Sequence, residues 1–153
     1  MKIYGSISGI ALVVIYAAGS GLWVNTGDNW YRSLNAPSWQ PPDFIFGLIW
    51  PYNFIVLGVA SVVISSRLST LFTITWLSIF AATVAAALMW AYQFYVPHNL
   101  TLASIALFVT AALTLPLVFI AFKASVPIGI ALFPYQGWVI TASFLSYTYS
   151  KLN

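Results

Sequence analysis

Aromatic and small residues recur at helical spacing along three apolar stretches, and they are the side chains best suited to bind a ligand. Residues at i, i+3, i+4 and i+7 share one side of a helix. The three faces comprise Gly47, Pro51, Phe54 and Gly58, with Trp50 at the border; Thr83, Ala87, Trp90, Ala91 and Phe94; and Trp138, Ala142, Leu145 and Tyr149. Rings stack on a flat ligand and small residues leave room for it, so these faces suit a planar apolar molecule. Ordinary helix packing in a membrane uses the same residue types, and the spacing leaves both interpretations open.

Residues for acid–base, metal or nucleophilic chemistry are scarce. The chain of 153 residues has no cysteine, one histidine and two acids. The sequence offers no phosphate loop, no metal-ligand spacing and no base beside a Ser or Thr, so we expect no catalytic residue and no required cofactor. His98 follows Pro97 in a short link, where we expect a solvated residue; ligation of haem iron is the alternative.

The composition excludes most classes of soluble protein. Hydrophobic residues make up 61% of the chain and charged residues 5%, whereas soluble domains carry about 25% charged residues. This excludes a soluble enzyme, a secreted disulfide scaffold and a disordered chain. The five basic residues are scattered and form no continuous basic surface that could bind a phosphate backbone, so we expect no nucleic-acid partner. The sequence therefore predicts a multi-pass integral membrane protein whose surroundings are the lipid bilayer.

Five charge-free stretches are long enough to cross a membrane, which takes roughly 20 apolar residues. The predicted spans are 3–24, 44–64, 70–95, 100–122 and 126–149. They do not alternate as barrel strands would, so we predict an all-α five-transmembrane-helix bundle forming one domain, 1–153. The first stretch is long for a signal-peptide core and is interpreted as an uncleaved anchor. The three later links are short, which predicts antiparallel neighbours and an up-down bundle for spans 2 to 5.

The first link, 25–43, is much longer than the others and holds both acids. Long loops in compact domains tend to be functional or disordered, and this one has too many aromatic residues for disorder. Trp30, Arg32 and Trp39 are expected either to form a lid over the mouth of the bundle or to lie in the headgroup layer as an aromatic belt. Lys2, Arg67 and Lys123 fall on the opposite side, which favours a cytoplasmic N-terminus.

Two further motifs are compatible with contacts outside the bundle. Gly5 and Gly9 form a G-x-x-x-G pattern, and Ala81, Ala82, Ala85 and Ala86 form a small-residue patch; either suits a dimer seam. Leu145, Tyr147 and Lys151 fit a proposed sterol-contact pattern. Tyr147 lies nine residues after Trp138, about 180° around a helix, so it is expected to face lipid. The alternative is an interfacial tyrosine with a snorkelling lysine.

Three blocks of the sequence resemble the TspO/translocator-protein family, also called tryptophan-rich sensory proteins or peripheral-type benzodiazepine receptors. The most specific block is WYRSLNAPSWQPP at 30–42, followed by Phe46 and Trp50. The stretches ALMWAYQFY at 87–95 and PYQGWVITASFLSY at 134–147 are similar to the third-span and fifth-span blocks of the family. Length, span number and the long first link agree as well, so the resemblance covers essentially the whole chain.

The resemblance implies a five-helix bundle, usually a homodimer, that binds tetrapyrroles such as protoporphyrin and haem. Family members also bind sterols and synthetic drugs, and porphyrin photodegradation has been proposed as an activity. A bacterial or archaeal cell membrane is the expected location. Carried over by matching position, the walls of the family's pocket correspond to Tyr31, Pro41, Trp50, Phe54, Ala87, Trp90, Ala91, Trp138 and Ala142.

Three positions depart from the family's pattern. The family usually has Asn where this chain has Ala87 and Ser where it has Ala91, and often Asn in place of Ser146. The interior therefore loses polar groups, each of which contributes about 1–2 kcal/mol when it pairs with a ligand.

Four functions are compatible with these residues. The first is a receptor or sensor in which aromatic residues stack on a tetrapyrrole and Arg32 pairs with a propionate at the mouth. The others are light-dependent porphyrin breakdown with Trp50 and Trp138 as electron partners, passive carriage of porphyrin or sterol, and docking of another membrane protein by the alanine-rich third span. The lack of ionisable residues within the predicted spans disfavours ion-coupled transport.

Overall fold

The computed structural model describes residues 2–153, which contain helices and no strand. The helices are α1 Lys2–Trp23, α2 Asn29–Ser33, α3 Asp43–Arg67, α4 Thr70–Tyr95, α5 Leu100–Ala124, α6 Val126–Ala131 and α7 Phe133–Leu152. Five segments are long and apolar enough to cross a membrane, the last formed by α6 and α7 together over Val126–Leu152. Within lipid only a helix or a closed barrel satisfies its own backbone, and the predicted five-span helical fold is confirmed.

Capping side chains set the starts of two spanning helices. The Ser69 hydroxyl accepts a hydrogen bond from the Phe72 N–H (3.4 Å) before α4, and the Asn99 amide oxygen accepts one from the Leu102 N–H (3.0 Å) before α5. Such caps satisfy backbone N–H groups that have no partner within the helix. The predicted third span coincides with α4, and the others differ from the structure by at most three residues at either end.

The last span is broken at Leu132, although the sequence predicted one continuous helix over 126–149. Pro134 lies in the first turn of α7 and has no N–H to donate to the preceding turn. At this break the Tyr52 hydroxyl of α3 donates to the Ala131 carbonyl (2.6 Å). Gly129 of α6 lies against the ring of Phe122, so α6 folds back closely onto α5.

The first helix packs between α3 and α4. It contacts both extensively, whereas α3 and α4 contact each other less; α4 packs chiefly on α5, and α5 on α7. The short links make α3 and α4, and α4 and α5, direct neighbours, and α1 is inserted beside the first of these pairs. A short link fixes the direction of a neighbouring helix and leaves open whether another helix inserts beside it.

Two glycines allow this insertion. A side chain at Gly5 would collide with Ser65 and Thr73, and one at Gly9 with Ser61. The G-x-x-x-G pattern is thus used inside the chain, and the expectation that it forms a dimer seam is wrong, because both glycines are buried. Ala81, Ala82 and Ala85 remain exposed on α4, and a dimer through that face stays a prediction.

The contact at Gly9 is continuous with a fully buried hydrogen-bonded pair. The Trp76 indole N–H donates to the Ser61 hydroxyl (3.0 Å), which itself donates to the Leu57 carbonyl (2.9 Å). Trp76 and Ser61 are both completely buried. Ser61 therefore has little freedom to move away from a larger residue at position 9.

Gly9→Ala is expected to destabilise the protein by about 1–3 kcal/mol, the range for overpacking a filled interior. Thermal unfolding of purified protein in detergent measures the effect. Gly137→Ala on α7 is the matched control, because an added Cβ there meets no atom within 4 Å. It is expected to unfold at the wild-type temperature or slightly above it, since Ala favours helix over Gly by up to about 1 kcal/mol. Equal unfolding temperatures for Gly9→Ala and wild type would contradict the packing described.

Candidate functional site

A cavity of about 490 Å³ lies inside the bundle below the first link. Its walls come from α1, α3, α4, α5 and α7, with further contacts from the link. The lining residues of the spanning helices are Tyr16, Ala17, Ser20 and Gly21; Asp43, Phe46, Gly47, Trp50 and Phe54; Ala87, Trp90, Phe94 and Tyr95; Leu107; and Trp138, Ala142, Leu145, Ser146 and Tyr149. Pockets for small molecules typically measure about 300–1,000 Å³ and are mostly apolar, so this cavity has the size and character of a ligand site.

Most of the residues carried over from the family's pocket lie on this wall. The cavity is lined by Tyr31, Trp50, Phe54, Ala87, Trp90, Trp138 and Ala142. Pro41 and Ala91 do not line it. Pro41 lies in the link before α3 begins, and Ala91 is 0% exposed because neighbouring residues cover its methyl group completely. Of the three positions that depart from the family's pattern, Ala87 and Ser146 face the cavity and Ala91 does not.

Some residues of the helix faces predicted from spacing do not line the cavity. On α3 the wall runs along Phe46, Trp50 and Phe54, so Trp50 belongs to the wall although the spacing placed it at the border. Pro51 is exposed, and Gly58 lies in a shallow apolar groove on the outside between α1 and α3. On α4, Thr83 is buried and its hydroxyl donates to the Ile79 carbonyl (2.8 Å).

The contribution of α1 was not predicted. Tyr16 is 1% exposed, and its ring meets those of Phe54 (centroids 5.2 Å apart) and Trp50 (5.9 Å) edge to face. Its hydroxyl lies 3.1 Å from the hydroxyl of Tyr135 on α7. A lone tyrosine midway along an apolar stretch was the available signal, since a buried tyrosine hydroxyl needs a polar partner.

Packed aromatic pairs stiffen the walls. Phe46 meets Trp138 edge to face at 5.0 Å between centroids, and Trp50 stacks beside Phe54 at 5.7 Å. The first pair links α3 to α7, and the second lies within α3. A planar ligand would therefore meet preformed aromatic surfaces.

Three polar atoms on lining residues are buried without a hydrogen-bond partner. They are Nε1 of Trp90, Nε1 of Trp138 and Oγ of Ser146. An unsatisfied buried polar group costs about 1–3 kcal/mol, and lipid offers no water to relieve it. These atoms have almost no accessible surface, so an acceptor on a ligand reaches them only if neighbouring side chains move.

The first link is fastened over the cavity at several points. Trp30 stacks on His98 with ring centroids 3.5 Å apart and planes 5° from parallel. Tyr149 donates a hydrogen bond to the side chain of Gln40. Asn35 and Asn153 exchange hydrogen bonds of 2.9 and 3.1 Å. The link therefore folds onto the bundle, as the lid interpretation expected.

Some residues of the link contact the cavity, as a lid would, and others are exposed, as in an aromatic belt. Tyr31 lines the cavity, and Trp30 packs against Phe94, which also lines it. Arg32 is exposed and outside the cavity wall, and Trp39 is 48% exposed. His98 is exposed as expected for a link residue, and its stack on Trp30 gives it a structural role. The link therefore contributes Thr26, Tyr31 and Asp43 to the cavity wall, whereas Arg32 and Trp39 lie outside it.

Charge at the cavity is confined to one carboxylate. Asp43, the first residue of α3, lines the wall, and no Lys, Arg or His from residues 2–153 does so. Within the same range no three His, Cys, Asp or Glu residues come together in a group that could hold a metal ion.

The residues of the candidate sterol motif lie on two different surfaces. Leu145 is buried and lines the cavity, whereas Tyr147 is 45% exposed. The Lys151 ammonium lies 5.3 Å from the centre of the Tyr147 ring. Tyr147 and Lys151 thus form an outward-facing pair, as the angle from Trp138 predicted, and Leu145 is not part of it.

Comparison with known proteins agrees with this architecture. Residues 9–152 match the TspO/MBR family. The chain is 31% identical over 147 residues to the tryptophan-rich protein TspO of Chlorobaculum tepidum, covering 95% of this chain and 92% of that protein. It is 26% identical over 153 residues to the uncharacterized membrane protein YtaB of Bacillus subtilis (99% and 98% covered), and 24% identical over 148 residues to the tryptophan-rich sensory protein of Cereibacter sphaeroides (94% and 92%). The helical bundle, its five spans and this match over nearly the whole chain show that the protein belongs to the TspO/MBR family of membrane proteins.

Proposed function

We propose that this membrane protein acts as a receptor or sensor that binds a tetrapyrrole, or a similar flat apolar molecule, in the cavity below the first link. The observation that carries the proposal is the largely apolar cavity wall, which includes Trp50, Trp90 and Trp138. A macrocycle offers large π-faces that can stack on such rings.

The names of relatives are consistent with this class of function. The similar protein of Cereibacter sphaeroides is called a tryptophan-rich sensory protein, and that of Bos taurus, 27% identical over 123 residues, a translocator protein. A sensor needs a site whose occupation changes the protein. The link is the part of the protein that ligand binding would affect. Tyr31 of the link lines the cavity, and Tyr149, which also lines it, donates a hydrogen bond to Gln40 of the link.

Trp138→Ala is expected to raise the dissociation constant for porphyrin about tenfold or more. Stacking of a ring on an aromatic side chain contributes roughly 1–3 kcal/mol, and 1.4 kcal/mol corresponds to a factor of ten. The measurement is the shift of the porphyrin absorbance band in detergent, in the dark, with protoporphyrin IX and separately with its uncharged dimethyl ester. Absorbance of the ligand is preferred to tryptophan fluorescence, because the variants themselves remove tryptophans.

Two further variants control this titration. Trp39→Phe changes an exposed tryptophan outside the cavity wall and should leave the affinity unchanged. Trp138→Phe keeps an aromatic ring and removes the N–H, so it separates stacking from hydrogen bonding. Absence of a saturable band shift with either porphyrin in the wild type would contradict tetrapyrrole binding.

Ala142→Phe is expected to fill part of the cavity and weaken porphyrin binding at least about tenfold, since a phenyl ring would occupy space that the ligand needs. Ala142 lines the cavity on α7. The matched control is Ala112→Phe on α5, where the alanine is exposed on the outside of the bundle. The same titration measures both. Equal affinities for the two variants would place the binding site elsewhere.

One observation favours a second function, light-dependent breakdown of the bound porphyrin with dioxygen as co-reactant. Of the seven tryptophans in the chain, Trp50, Trp90 and Trp138 line the cavity and would lie within electron-transfer reach of a bound macrocycle. No acid or base at the wall is needed, because the excited porphyrin supplies the reactivity.

Under illumination, this second function predicts new absorbance bands with wild type that are lost in Trp50→Phe. The ring substitution preserves stacking while removing the more oxidisable indole. Product spectra recorded in light and in the dark make the comparison, with Trp39→Phe as control. Persistence of the products in Trp50→Phe and in Trp138→Phe would show that the protein is a bystander to the photochemistry.

A further inference from the structure

We propose that the cavity discriminates against ligands that carry carboxylates at its mouth, and that Asp43 is the residue responsible. The ligand class is then a flat apolar molecule that is uncharged or cationic at this end, in preference to a dicarboxylate. This inference rests on the proposed function, because it specifies the ligand of the same cavity.

The charges around the cavity are one-sided. Asp43 is exposed at the start of α3 and lines the wall next to the link. Arg32, from which the sequence suggested a partner for a propionate, is exposed and does not line the cavity. Since no other basic side chain of residues 2–153 lines it either, a ligand carboxylate would meet a like charge and no counter-ion.

Among residues 2–153, no cationic side chain lines the interior of the cavity to pair with a carboxylate. The interior's polar atoms without partners are the neutral groups of Trp90, Trp138 and Ser146. Moving an ionised carboxylate away from water without a cation is strongly unfavourable. Carboxylates of a bound ligand must therefore remain at the mouth, whereas uncharged groups such as an ester meet no such penalty in the interior.

The other polar groups on the wall are neutral and do not cancel the charge of Asp43. They include the hydroxyls of Ser20, Thr26, Tyr31, Tyr95 and Tyr149. The Tyr149 hydroxyl donates to Gln40, and the Ser20 hydroxyl donates to the Tyr16 carbonyl. Two like charges several ångströms apart at a partly solvated surface repel each other, and each such pair weakens binding about three- to tenfold. The expected discrimination is of this size.

The test compares protoporphyrin IX with its dimethyl ester, which differ in charge and share the macrocycle. Dissociation constants of both are measured at neutral pH with wild type and with Asp43→Asn. The substitution is expected to tighten binding of the diacid about three- to tenfold and to leave that of the diester unchanged. Because the ratio of the two constants is compared between variants, unequal partitioning of the two porphyrins into detergent cancels.

Asp28→Asn is the matched control. It removes the same charge from the same link at a residue that does not line the cavity, and it should leave both constants unchanged. A second measurement needs no variant: raising the ionic strength screens repulsion, so binding of the diacid to wild type should tighten while that of the diester stays constant. Asp43→Asn is accepted as folded if its thermal unfolding resembles that of Asp28→Asn.

The outcomes separate this inference from the proposed function. If both porphyrins bind and neither Asp43→Asn nor salt changes their ratio, the role of Asp43 is wrong and tetrapyrrole binding stands. If neither porphyrin binds to any variant, both proposals are overturned. Selective tightening of the diacid in Asp43→Asn, absent in Asp28→Asn, supports the inference.

Discussion

The close contact of α1 with α3 and α4 is the constraint on which the rest of the structure depends. Lipid gives helices no hydrophobic reason to associate, so they associate where small residues let backbones approach and where polar side chains pair. Gly5 and Gly9 provide the approach, and the hydrogen bond between Trp76 and Ser61 fixes the facing surface. This end of the bundle is filled, and α1 is thereby held between two helices that are consecutive in sequence.

At the other end of the same helices, large rings replace the glycine contacts. Tyr16 meets Trp50 and Phe54 at ring-centre distances of more than 5 Å, and the helices stand far enough apart to enclose a cavity. The link closes this end through the stack of Trp30 on His98 and the bond from Tyr149 to Gln40. Small residues thus give the bundle one tightly packed end, and large aromatic residues give it one open end.

The character of the cavity follows from what its wall leaves unpaired. Neutral donors on Trp90, Trp138 and Ser146 have no partner, and the charge at the mouth is the carboxylate of Asp43. In a medium without water, unpaired donors and uncompensated charges dominate recognition more than contact area does.

The sequence by itself determined the membrane location and the five helical spans, because hydropathy and charge placement are local properties. Most of the cavity wall was predicted from the family resemblance, since spacing alone left ordinary helix packing as an alternative. Tertiary structure decided the insertion of α1, the break at Leu132 and the position of Asp43 at the mouth. It also decided that Ala91 and Pro41 lie off the wall while Tyr16 lies on it. Periodicity fixes which residues share a helix face, but the rotation of each helix and the identity of its neighbours depend on contacts between residues far apart in the chain, such as Gly9 with Ser61.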